Sequence, residues 1–203
     1  MAFEVKKYSI YFNANVTDYL ARVQVHLKLN EDVTSFSFKA SKLLTIKTIT
    51  VATAAHVYRE RADYSLLDIT DYTYDEDSET LTIPVQYFDP KSTAEGAYIE
   101  IEYQGVVMNE EVPPVYLQNE AFIKVDLTGG AQKLLPVITE VPVDVELTIV
   151  SDYRGGVEIS NLVAGEHHDN GDGRFANVYV SEGPVSLDSL SFTINPPTPL
   201  ILQ

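Results

Sequence analysis

The chain has 203 residues, 45% of them hydrophobic and 22% charged, with 30 acidic side chains against 14 basic ones and a net charge of −16. That charge excludes recognition of a phosphate backbone, which needs clustered Lys and Arg, and opposes adsorption to an anionic membrane. There are no cysteines, so disulfides, thiol nucleophiles and thiolate zinc sites are excluded too.

The start, "MAFEVKKYSIYF", shows neither a long apolar run nor a small-residue cleavage site, so no signal peptide is expected. No stretch approaches the roughly 18 apolar residues of a membrane-spanning helix. The expectation is a soluble, cytoplasmic protein. Asn15 opens "NVT", a glycosylation pattern read as chance without a secretory signal.

The dominant period is two. In "YLARVQVHLKLN", Tyr19, Ala21, Val23, Val25, Leu27 and Leu29 share one face, and Arg22, Gln24, His26 and Lys28 the other. This alternation predicts a strand with a dry and a wet face. Further strands are predicted at "SFSFKA", "LLTIKTITVA" and "LTIPVQY". "DYTYDEDSET" reads as a solvated acidic turn between strands. "ATAAHVYRERA" has some helix propensity, but the Thr and β-branched residues around it favour strand and hairpin. "AYIEIEYQG" alternates again, with Ile99, Ile101 and Tyr103 against Glu100 and Glu102. "VPPVYLQ" reads as an irregular connection, because two prolines cannot sit in a central strand. "AFIKVDL" follows. "VDVELTIVSD" sets Val143, Val145, Leu147 and Ile149 against Asp144, Glu146 and Thr148. "GVEIS", "FANVYV" and "LSFTI" complete the series, and "NPPTPLILQ" is a proline-led exit. The pattern predicts an all-β, mostly antiparallel sandwich of two sheets, or one curved sheet with a smaller one packed on it. One domain spans residues 1–195, and a tail covers 196–203.

Chemistry is sparse. "GEHHDNGDGR" offers His167, His168, Asp169 and Asp172 as ligands for a divalent metal. Adjacent strand residues point to opposite faces, however, and the calcium-loop spacing fails at its first and last ligands. "NGDG" tolerates positive φ, so the segment reads as a polar hairpin loop. No G-x-S-x-G elbow and no phosphate loop occurs, "LTGGAQK" lacking the spacing. His26, on a wet face, reads as a surface histidine.

Several landmarks stand together in order. "YSIYFNANVTDYLARVQVHLKLNEDVTSFSFKASKLLTIKTITV" opens the chain. "YDEDSETLTIPV" and "AYIEIEYQGVV" follow, then "VPPVYLQ", "AQKLLPVITEVPVDVELTIVSDYRGGVEISN" and "GPVSLDSLSFTINPP". Their order and spacing resemble the N-terminal domain of M1-family zinc aminopeptidases over essentially the whole chain. The resemblance implies a saddle-shaped β domain. It also implies that the H-E-x-x-H zinc site belongs to a separate domain, since neither that motif nor a G-x-M-E-N segment occurs here. The family glutamine that holds a substrate amine aligns with Val125. The segment A-R-x-x-F-P-C-x-D-E-P keeps only Pro136 and Glu140, with Gln132, Thr139 and Val141 departing from it.

Two roles are thereby expected. One is a non-catalytic interaction or scaffold module without cofactor, contacting a protein partner through Pro113, Pro114, Val115, Tyr116 and Leu117. The other is a piece of an aminopeptidase that shapes the cleft of a catalytic peptidase domain. A regulatory metal at the His-Asp loop is a third reading.

Overall fold

The computed structural model describes residues 3–15, 17–29, 33–52, 67–84, 97–109, 112–118, 122–151, 157–171 and 173–194. The predicted hairpin after residue 52, Asp172 and the proline-led tail lie outside them. The strands are β1 (Phe3–Ala14), β2 (Asp18–Leu29), β3 (Ser35–Lys39), β4 (Thr45–Ala52), β5 (Leu67–Asp68), β6 (Thr73–Asp75), β7 (Thr80–Pro84) and β8 (Ala97–Val106). They continue with β9 (Val115–Gln118), β10 (Phe122–Asp126), β11 (Asp144–Ser151), β12 (Val157–Ser160), β13 (Val163–Asp169), β14 (Phe175–Val180) and β15 (Ser191–Ile194). Short 3-10 turns at Ala131–Lys133 and Leu187–Ser189 are the only helical pieces among the described residues. The fold is all-β, as the alternation predicts.

Three sheets form. The largest has the order β13-β14-β11-β1-β2-β8-β4-β5; a four-stranded sheet runs β12-β15-β10-β9, and a three-stranded one β3-β7-β6. Almost every pair is antiparallel, but β1 and β11 run parallel. The large sheet's dry face is built in cross-strand rows. Ile10 lies beside Val23 and Leu147, Val23 beside Ile101, and Ile101 beside Ile49. Each of these side chains is buried, worth about 1.5–3 kcal/mol apiece against exposure. Phe12 meets Phe192 of the four-stranded sheet edge-on at 5.4 Å, and Phe3 meets Phe36 of the three-stranded sheet at 5.4 Å. Both smaller sheets therefore pack on the dry face of the large one, in a single core.

Local chemistry sets the turns. Asn15 Oδ1 accepts the backbone N–H groups of Thr17 at 2.7 Å and Asp18 at 3.0 Å, which folds β1 back onto β2. Asp75 accepts from Ser78 and Asp77 and closes the predicted acidic turn between β6 and β7. Asp188 Oδ1 takes the Ala131 N–H at 2.6 Å, tying the two 3-10 turns together.

Three expectations are corrected. Val115–Gln118 of "VPPVYLQ" is an edge strand, β9, which the prolines precede rather than interrupt. His167 and His168 lie within β13; the turn begins only at Asn170, whose N–H donates to the Arg174 carbonyl at 2.9 Å. Thr148 stands on the wet face of β11 and is nonetheless buried.

Burial also sets an alkaline limit. Tyr8, Tyr19 and Tyr103 are enclosed in the core, and loss of water pushes all three phenols well above the ordinary value of 10.0. Below about pH 10 both the folded and the unfolded chain keep these protons, so stability is fully present there. Above it the unfolded chain ionises first, and stability falls as pH rises. The melting temperature is expected to drop steeply beyond about pH 10. Phenolate absorbance should then rise together with unfolding. Phenolate appearing while the fold stays intact would contradict this burial.

Candidate interaction surface

The polar side of the large sheet is largely occupied by its own contacts. Arg22 sits 5.5 Å from the Tyr11 ring centroid and 3.4 Å from Glu100, which also accepts from Gln24 at 3.3 Å. Lys7 donates to Glu146 at 2.7 Å. His26 is half-buried and stacks on Tyr98 at 4.4 Å, so it is a packed residue rather than the plain surface histidine expected. Such partly exposed pairs contribute at most about 1 kcal/mol each, and none aligns a nucleophile with a base.

Of the four candidate ligands, His167, His168 and Asp169 do not converge, and Asp172 lies outside the described residues. His167 is exposed and pairs with Asn177 along the ladder; His168, one residue on, turns to the opposite face and lies 3.5 Å from Glu166. Asp169 is spent on the Gly171 N–H at 2.8 Å. Among the described residues no three His, Asp or Glu side chains are grouped to hold a metal ion.

The predicted contact segment is placed in two ways. Pro114, Val115 and Tyr116 are buried. Val115 and Leu117 pair with Val125 and Ile123 of β10, and Leu117 is half-buried. These residues build the core. Pro113 is exposed, and so are three large apolar side chains at or near β9: Met108 (42%), Val112 (44%), one residue before Pro113, and Phe122 (37%), which pairs with Gln118 at the other end of the strand. Met108 is anchored by its backbone. Its N–H donates to the Val115 carbonyl and its carbonyl accepts from Leu117, both at 2.9 Å. The continuation of β8 thus caps the free edge of β9 and brings Met108 beside it. Val106 and Leu20 are also exposed, at 64% and 39%, but on the wet face of β8 and β2, opposite the face on which the four-stranded sheet packs.

Reading the sequence missed Met108, Val106 and Leu20. Their signal was present: each is apolar where the alternation of its strand calls for a wet residue. Val125, aligned with the amine-holding glutamine, is fully buried in β10 beside Phe192, and lines no cleft.

The fold can be compared with solved structures. It is similar to the crystal structure of Legionella pneumophila aminopeptidase A in complex with aspartic acid, with a TM-score of 0.70 at 10% identity, over 96% of this chain and 21% of that one. The fold is aminopeptidase-related. At that identity the likeness concerns the fold alone, and this chain spans about a fifth of the aminopeptidase. No protein-family model and no curated protein matches the sequence.

Proposed function

We propose that this chain is a non-catalytic domain of the M1 aminopeptidase N-terminal type that binds another protein through the apolar rim of β9. The observation that carries the reading is the exposure of Met108 and Phe122 on the two sides of β9 and of Val112 just before it. Burying such side chains gains free energy, and large exposed apolar patches mark protein contacts. The net charge of −16 turns nucleic acid and anionic membrane away as alternatives. The test is affinity capture in parallel with the parent chain and with Met108→Asp combined with Phe122→Asp. Both sites are exposed, so the double variant should melt like the parent. Partners held through the rim should be lost from it. Retention of the same partners by a folded double variant overturns the assignment.

A specific observation favours one class of partner. The fold matches a fifth of an aminopeptidase chain, so a catalytic peptidase domain is the partner proposed second, with this domain lining its cleft. Alone, the chain is expected to hold no stoichiometric zinc and to hydrolyse no aminoacyl anilide. Zinc-dependent turnover by the isolated chain would sink the non-catalytic reading.

A further inference from the structure

The turn between β13 and β14 carries chemistry that the interaction surface does not use. Asn170 is exposed and is followed by Gly171, whose φ is +78°. A Cβ at Gly171 would meet nothing within 4 Å, so no other side chain crowds its α-carbon. The same nitrogen donates its hydrogen to Asp169 Oδ1 at 2.8 Å. A backbone amide is a poor nucleophile until its proton is drawn away, and here a carboxylate is already seated on that proton. Glycine also leaves the backbone free to bring its nitrogen onto the preceding side chain, which a β-carbon hinders.

We propose that Asn170 is a site of spontaneous deamidation, with Asp169 as the positioned base. The Gly171 nitrogen attacks the Asn170 Cγ and passes its proton to the Asp169 carboxylate. The C–N bond of the side-chain amide breaks, and ammonia leaves with the proton returned to it. The five-membered succinimide that remains is opened by one water at either carbonyl. The product is an aspartyl or isoaspartyl residue at position 170, with one added negative charge. No oxidant, metal or enzyme is required. In the isoaspartyl product the main chain runs through the side-chain carbon, lengthening the turn that closes the outermost hairpin of the large sheet.

The purified full chain is held at mildly alkaline pH and physiological temperature, then digested with trypsin and mapped by tandem mass spectrometry. The peptide ending at Arg174 contains two asparagines, Asn161 and Asn170, and Asn161 precedes a leucine. Asn170 is expected to gain one mass unit with isoaspartate present, while Asn161 stays intact. Asp169→Ala should slow the conversion several-fold, and Gly171→Ala should suppress it. Asn170 remaining intact in the folded chain while the free tryptic peptide converts would overturn the proposal. Conversion of Asp169→Ala as fast as the parent would overturn the role of the carboxylate.

Discussion

Replacing Gly105 with alanine is expected to lower the stability of the domain by about 1–3 kcal/mol, a methyl group's worth of overpacking in a site that cannot yield. Gly105 faces Tyr19 across the β2–β8 ladder, and the Tyr19 ring lies directly over its Cα. A Cβ there would overlap the Tyr19 hydroxyl and the ring carbon that bears it. The ring has little freedom to withdraw: it is buried and stacked on Phe12 at 5.2 Å. Glycine inside a strand is normally a weakness, and an aromatic laid across it from the neighbouring strand restores the lost packing. The check is a double-mutant cycle with Tyr19→Ala. The cost of Gly105→Ala should shrink in that background. Equal cost in both backgrounds would mean that the clash is not with Tyr19.

A larger loss is expected from Leu147→Asp. Leu147 lies mid-strand in β11, between Ile10 of β1 and Tyr179 of β14, and is fully shielded from water. Losing the leucine leaves a cavity costing about 2–5 kcal/mol, and a buried carboxyl without partners adds a few kcal/mol more. The sum is comparable with the whole stability of a typical domain, about 5–15 kcal/mol. No cooperative melt should remain. Glu146→Ala, one residue away on the opposite face, removes only a half-exposed ion pair and should cost less than about 1 kcal/mol. Parent-like melting of Leu147→Asp would show the strand register to be wrong.

The strands most legible in the sequence are those with an unbroken ladder. β2 and β8 alternate throughout except at Leu20 and Val106, and every residue placed on their dry faces is buried or half-buried. β1 resists the same reading because its register shifts between Val5 and Lys7. Before the bulge Phe3 and Val5 carry the apolar phase; after it Tyr8, Ile10 and Phe12 do. A bulge moves the apolar set from odd to even positions and erases the period that would have revealed the strand. β13 hides for a related reason. Its ladder shifts between Ala164 and His167, its side chains are mostly exposed, and it sits at the sheet edge. Polar, glycine-containing edge strands look like loops because edges are kept unattractive to further strands. The proposed contact surface is half legible. "VPPVYLQNEAF" contains Val112, Pro113 and Phe122, but the fold turns Val115 and Tyr116 inward and adds Met108, which stands just after β8 and four residues before that segment.

The parallel pairing of β1 with β11 has a consequence for how the molecule is made. Within the chain β1 is made before one of its two neighbours, β11, whose Asp144 follows its partner Lys7 by 137 residues. Until then one long edge of β1 has no partner, and an emerging chain carries an open template for wrong pairing. Contacts so distant in sequence make folding slow. The domain should therefore form as one late event rather than half by half, and a cut between β8 and β11 should leave two fragments that fold only when mixed.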